Sequence, residues 1–409
     1  MVQNLPSPSA LCEKILPGPA VDGLAGPMSR VGSRIPALDG VRALAIILVV
    51  LHHYELRGIP TLGLTISFVL SGFLVTSLLI REHERTNTIC LRNFLQKRVL
   101  RLLPAFYLYL FVITGLMYIG GVTIHWNQIA AAFFFVMDYY RALTGSDTPQ
   151  GWIVWSLAVE QKFYLLWPLF LYAFRNRLKR AAASTALVIV CIGLYRIALV
   201  TFFHVSNSYI YNAFETRLDG ILIGCLLAIC LKRKIAEPFF RWVTGKPGFA
   251  AIPAGVIIAC IYFADYKKVC HFYEEVGLTL IPISIALLLS QVIRWSDHIW
   301  FQWLACRPLG YVAAISYGLY LFHIPAHQCV TFLLPQASAT VRFFVPLFGS
   351  LVAAAISSEF VEKPFIAFNE SLSKGIALVK PNSLRPPVTV QIKVKHAFAA
   401  PLHLLRKAS

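Results

Sequence analysis

Arg42, His52 and His53 stand inside the first long apolar segment, Arg42-Ala-Leu-Ala-Ile-Ile-Leu-Val-Val-Leu-His52-His53. An ionisable side chain in a membrane span costs several kcal/mol unless it faces a cavity or a partner, so it marks a functional site by default. The chemistry open to these types is specific: a guanidinium holds an anion, and an imidazole accepts and returns a proton near neutral pH. Helical geometry separates the two histidines. Eleven steps of about 100° bring His53 to within roughly 20° of the Arg42 face and leave His52 roughly 80° away. Asp39 falls on the same side. One stripe therefore carries Asp39, Arg42 and His53, with Arg42 and His53 about 16 Å apart along the axis, and that stripe faces something polar.

Five further clusters interrupt apolar sequence. Ser67-Phe-Val-Leu-Ser71-Gly72-Phe73 puts small residues mid-helix, for close helix packing or for lining a channel. Lys97-Arg98-Val-Leu-Arg101-Leu-Leu-Pro104 places three cations at a helix entrance, where a solvated basic end is an adequate explanation. Ser156, Glu160, Phe163 and Trp167 share one face at i, i+4, i+7 and i+11. Glu160 either serves a site, pairs with Lys162 or snorkels to the interface. Arg217-Leu-Asp219-Gly220 opens another span, where an ion pair is the plain expectation. Ser316, Tyr320 and His323 form a stripe that could be polar glue between helices.

These clusters are set in a very apolar chain. Of 409 residues 57% are hydrophobic and 14% charged, and the mean hydropathy is +0.66. A soluble domain is about a quarter charged, so the chain reads as a polytopic membrane protein. Lys and Arg number 37 against 19 Asp and Glu. The basic residues sit in the gaps between apolar runs, which signals membrane orientation and argues against a nucleic-acid partner. Nine cysteines occur without a Cys-x-x-Cys, and read as small reduced residues rather than a disulfide framework or a metal site.

Runs long enough to cross a bilayer lie at roughly 38–56, 61–81, 98–120, 156–174, 184–203, 217–232, 249–265, 277–294, 309–333 and 340–359. The segment 128–140 is a further, short candidate. With the N-terminus inside, the 81–101 connection is cytoplasmic, as its six cations require. If 128–140 crossed, Arg175–Arg180, Lys232–Lys234 and the basic C-terminus would all face outward. If it does not, all are cytoplasmic. The expected fold is thus all-α: a transmembrane helical bundle of about ten spans with both termini cytoplasmic, and 121–155 an outer loop with an interfacial or re-entrant piece. Residues 1–35, rich in Pro and Gly, are expected to be a disordered cytoplasmic tail without a signal peptide. The membrane domain covers 36–366, and 367–409 form a basic cytoplasmic tail.

Taken in order, the clusters resemble acyltransferase family 3, membrane O-acyltransferases. The likeness rests on Leu38-Asp39-Gly40-Val-Arg42 with His53, Ser67-Phe-Val-Leu-Ser71-Gly72-Phe73-Leu74, and Arg98-x-x-Arg101-x-x-Pro104. It continues through Trp155-Ser156-Leu157-x-x-Glu160-x-x-Phe163-Tyr164, Arg217-Leu-Asp219-Gly220, Ser316-Tyr317-x-x-Tyr320-x-x-His323 and Glu362-Lys363-Pro364. It runs from about residue 34 to 366. The basic pair before the arginine repeat is Lys97-Arg98 here, and the secreted esterase-like domain that some members append is not expected.

The resemblance implies transfer of an acyl group, usually acetyl, from cytoplasmic acyl-CoA to a hydroxyl of a surface polysaccharide, glycolipid or other glycoside. Acyl-CoA is then a co-substrate and no cofactor is permanently bound. The family's arginine-x10-histidine pair falls on Arg42 and His53. His53 is the expected base, Glu160 is expected at a similar depth to orient its imidazole, and the phosphates of CoA give Arg98 and Arg101 an anion to hold. Arg217, Ser71 or backbone N–H groups are candidate oxyanion donors, and Ser156, Asp219, Tyr320 and His323 complete the substrate-binding set. The implied partners are acyl-CoA, a glycan acceptor and the lipid bilayer, in a bacterial inner membrane. The alternative is a proton-coupled secondary transporter or flippase, against which stands the lack of an internal two-fold repeat. A membrane scaffold would leave the cost of burying Arg42, His53 and Glu160 unexplained.

Overall fold

The structure, a computed structural model, describes residues 35–54, 61–146, 153–266, 271–368 and 371. Most of both expected tails therefore lies outside the described residues. Among those residues there is helix and no strand. The major helices are α1 (Pro36–His53), α2 (Leu62–Thr86), α3 (Leu91–Ile119), α4 (Trp126–Phe133), α5 (Met137–Thr144), α6 (Val154–Ala173), α7 (Leu178–Thr201) and α8 (Asn207–Asn212). They are followed by α9 (Phe214–Arg233), α10 (Glu237–Val243), α11 (Ala251–Tyr266), α12 (Leu278–Arg294), α13 (Ile299–Gln302), α14 (Arg307–Ala314), α15 (Ser316–Leu333) and α16 (Ala339–Ser357).

The local rules are visible at the ends. Pro36 opens α1, where its missing N–H is no loss, and Asp39 sits in the first turn against the positive end of the helix dipole. Asn87, at φ +57°, closes α2 in the left-handed conformation that Asn tolerates better than most residues. Ser338 caps α16 by accepting from the Val341 N–H.

Each of the ten apolar runs is helical over most of its length. Among the described residues six helical segments are long and apolar enough to cross a membrane, and a seventh arises if α14 and α15, bent by 71°, count as one span. The remaining runs correspond to α6, α9 and α11. α11 has 16 residues; α6 and α9 have 20 each, but carry Glu160, Lys162, Arg217 and Asp219. Those polar groups, which the sequence marks as candidate site residues, dilute the apolar signal of their own helices. The segment 128–140 is broken into α4 and α5, eight residues each. Each is about 12 Å long, far short of a bilayer core. Phe135, between them, has φ +54°.

α2 lies at the centre, packed on α1 and α9. Glycine permits the approach. A β-carbon on Gly72 would stand 2.0 Å from the Ile221 carbonyl oxygen of α9, and one on Gly224 would stand 1.9 Å from that of Val69 in α2. Gly63 makes a similar contact with Ala45 of α1. In lipid, where apolar surface alone does not drive association, such backbone proximity maximises dispersion contacts. α7, α9 and α12 are tied by a polar knot: the fully buried Arg196 bonds Asp219 at 2.7 Å, the Thr216 carbonyl at 2.7 Å, and Thr279. The expectation of reduced cysteines holds for the six free ones among the described residues, whereas Cys90 is disulfide-bonded.

Candidate active site

A cavity of about 200 Å³ runs between α1, α2, α3, α6 and α15, lined among others by Arg42, Ser71, Arg98, Arg101, Glu160 and Tyr320. Arg42 and Arg98 are the seventh residue of α1 and the eighth of α3, and Glu160 is the seventh of α6. Each lies about 10 Å inside its helix, and the packing of the three helices brings all of them to the wall of one cavity. The lining holds three arginines and one carboxylate, an excess of positive charge suited to an anionic ligand.

Most of these groups are already positioned by neighbours. Arg42 pairs with Asp39 at 3.4 Å, one turn back on α1. Arg98 stacks between Phe94 and Tyr164, 5.5 and 5.0 Å from the ring centres. Tyr164 donates to Glu160 at 3.3 Å and shares a 2.9 Å hydrogen bond with Ser71. The two readings of the small-residue cluster in α2 are both realised, on different faces: Gly72 meets α9 while Ser67 and Ser71 line the cavity. Tyr317 donates to the Leu102 carbonyl at 2.9 Å and fixes α15 on α3.

At one end the cavity adjoins a second of about 480 Å³, with Arg98 and Arg101 shared between the two walls. Arg81, Arg85 and Lys97 join them there, beside Glu82, whose carboxylate accepts the Cys90 N–H at 3.1 Å. At the other end Ser156 and Tyr320 close on each other at 2.5 Å, each also within 3.0 Å of the Ile153 carbonyl.

His53 and His323 lie beyond this closure and do not line the cavity. Tyr320 and His323 are three positions apart, about one turn of α15, and His323 Nε2 is 3.2 Å from His53 Nδ1. His323 Nδ1 is 2.7 Å from the Tyr320 carbonyl, and His53 Nδ1 is 2.8 Å from that of Val49. Tyr54, next after His53, donates to the His323 carbonyl at 2.8 Å and locks the two helices in register. His52 stands edge-on to His53, with ring centres 5.2 Å apart.

The expected residues therefore divide into groups. Arg42, Arg98, Arg101, Ser71, Glu160, Ser156 and Tyr320 share the cavity, and His53 and His323 form a pair beside it. Glu160 is not the neighbour of His53: its hydrogen bond goes to Tyr164, and the imidazole that meets His53 belongs to His323. Asp219 is buried in the Arg196 knot, where it also accepts from Thr279 and the Gly220 N–H. Arg217 points elsewhere, into a nest of aromatic rings. The ion pair expected at Arg217 and Asp219 is made by Arg196 and Asp219 instead. Arg196 was legible as a lone cation inside the apolar run 184–203, and Tyr164 as an aromatic hydroxyl one turn from Glu160.

The chain matches the acyltransferase domain family over residues 35–359. It belongs to that family. The family region takes in both cavities, the histidine pair and the α2–α9 crossing. O-acetyltransferase OatA of Staphylococcus aureus (strain COL) is 29% identical over 350 residues, 81% of this chain and 57% of the relative. Putative peptidoglycan O-acetyltransferase YrhL of Bacillus subtilis (strain 168) is 29% identical over 354 residues, 81% of this chain and 54% of the relative. Peptidoglycan O-acetyltransferase OatA of Listeria monocytogenes is 28% identical over 354 residues, again 81% of this chain and 55% of the relative. The chain thus spans little more than half the length of these curated relatives. No solved structure matches it significantly.

Proposed function

We propose that the protein is a multi-pass membrane O-acyltransferase that moves an acyl group, acetyl in the simplest case, from acyl-CoA on the cytoplasmic side to a hydroxyl of a glycan on the outer side. The observation that carries this reading is the arginine-lined cavity, which at one end shares Arg98 and Arg101 with an adjoining cationic vestibule and at the other is stopped by the Ser156–Tyr320 contact next to His53 and His323. The phosphates of CoA suit the vestibule and Arg101, where guanidinium forks bind phosphate oxygens in pairs. The slender pantetheine arm suits the cavity, and the thioester is then delivered towards the histidines. Relatives named for peptidoglycan O-acetylation support a glycan as the acceptor.

The tautomers follow from the acceptors. A backbone carbonyl only accepts, so Tyr320 and Val49 require a proton on Nδ1 of His323 and of His53. His323 Nε2 then carries a lone pair facing His53 Nδ1–H. That leaves His53 Nε2 unprotonated and, among the described residues, without a partner. It is the atom placed to take the acceptor's hydroxyl proton as the oxygen bonds to the acyl carbon, and to return a proton to the departing CoA sulfur. His323 acts as the orienting group, the part that a carboxylate plays in hydrolytic triads.

Protein in nanodiscs, given radiolabelled acetyl-CoA and a peptidoglycan-derived oligosaccharide, tests the reading. Label should enter the saccharide as a base-labile ester, and H53A should remove it. R98Q and R101Q should raise the KM for acetyl-CoA about tenfold or more with the acceptor's KM unchanged. Transport of the saccharide across the membrane without ester formation would replace this reading by a carrier.

A further inference from the structure

Among the described residues, Arg217 is a buried cation without a counter-charge. The residue is 4% exposed, and its Nε is sealed from solvent with no hydrogen-bond partner. Three rings surround the guanidinium carbon: Tyr211 at 5.1 Å, and Phe68 and Trp155 each at 5.9 Å. The acids nearest in sequence are engaged elsewhere. Glu215 accepts from Tyr139 and Tyr209, and Asp219 is held by Arg196 and Thr279. Among the described residues no carboxylate pairs with Arg217. Aromatic faces attract a cation but are only weak acceptors for its N–H groups, so the cage holds the guanidinium in place and leaves Nε without a partner. A buried charge kept in this condition is explained when a ligand supplies the missing anion.

The nest also lies in a telling place. Phe68 is a wall of the arginine-lined cavity, and Trp155 precedes Ser156, which closes that cavity on Tyr320. We infer that Arg217, with Phe68, Trp155 and Tyr211, is the seat for a carboxylate-bearing sugar of the acceptor glycan. The inference rests on the reading that the acceptor is a glycan. Flat aromatic faces pack against the C–H faces of a pyranose ring, while the guanidinium offers two parallel N–H bonds to a carboxylate. One guanidinium balances one negative charge. A phosphate monoester, carrying nearly two, would leave charge uncompensated.

Binding can be measured without the donor, by calorimetry on the full chain in nanodiscs. The probes are a disaccharide of glucuronic acid and N-acetylglucosamine, its neutral methyl ester, and the same core sugar carrying a phosphate monoester instead of the carboxylate. The wild-type protein should bind the acid about tenfold or more tightly than the ester. R217Q should weaken the acid alone and erase the difference, and R217K should keep part of it, since lysine retains the charge but not the fork. Equal binding of acid and ester by the wild-type protein overturns the inference without any variant. So does an R217Q that weakens both probes alike, and tighter binding of the phosphate than of the carboxylate overturns the choice of anion. Discrimination without acyl transfer from acyl-CoA would sink the proposed donor and leave this subsite standing; transfer without discrimination would do the reverse.

Discussion

At the scale of single residues, the decisive contact is the 3.2 Å approach of His323 Nε2 to His53 Nδ1. Sequence spacing distinguished His53 from its neighbour, because only one of two adjacent helical residues can share the Arg42 face. H53A should therefore abolish transfer with expression intact, while H52A keeps most of it; the opposite pattern in a radiolabel assay would refute the helical-face argument. His323 admits a sharper test. Gln at 323 can still present an oxygen to His53 Nδ1–H, whereas Leu cannot. We expect H323L to lower kcat about a hundredfold with little change in KM, and H323Q to recover at least tenfold of that loss. Equal activities for the two variants would show that the pair is packing alone. What spacing could not reveal was the partner. Glu160 shares the expected set with His53, yet the choice between Glu160 and His323 depends on how α15 is rotated against α1, and no residue pattern encodes that.

At the scale of elements, α2 shows why a small-residue cluster has two readings: the helix has two faces in use. Gly72 and Gly224 let α2 and α9 touch backbone to backbone, and Ser71, one position away, turns into the cavity. A methyl group on Gly72 must displace a main-chain carbonyl, not a flexible side chain. G72A should thus cost about 1–3 kcal/mol, the range for overpacking, and lower the midpoint of thermal unfolding in detergent; an unchanged midpoint would mean that the helices separate freely. R196M should cost more, about 3–5 kcal/mol, by leaving Asp219 buried and unpaired. The lateral element α5 is held to α6 by Lys162 and Asp138 at 2.6 Å, so the alternative partner considered for Glu160 is taken by another acid.

At the scale of the whole molecule, sidedness depends on the status of 128–140. Two helices of eight residues, broken at a residue with positive φ, are each too short to cross. With this segment outside, Asn207, at the start of α8, faces the exterior and Asn176, between α6 and α7, faces the cytoplasm. Single cysteines at these positions, in a background without native cysteines, should behave oppositely towards an impermeant thiol reagent in intact cells. Label at Asn207 and none at Asn176 is the expected result; the reverse would sink the ten-span topology and the outward-facing acceptor side.

The sequence by itself determined the class of molecule and the cast of the candidate site. Apolar runs and basic gaps express the cost of moving side chains between water and lipid, which is local and additive along the chain. The ordered motifs then named Arg42, His53, Glu160 and Tyr320 before any fold was known. Only the tertiary structure decided who meets whom: His323 at His53, Tyr164 and Ser71 about Glu160, Arg196 at Asp219, and aromatic rings about Arg217. Such pairings depend on helix rotation and depth in a packed bundle, set by all the contacts at once and most tightly where glycines bring backbones together. A helix records in its own sequence which face is polar, but not which neighbour that face will find.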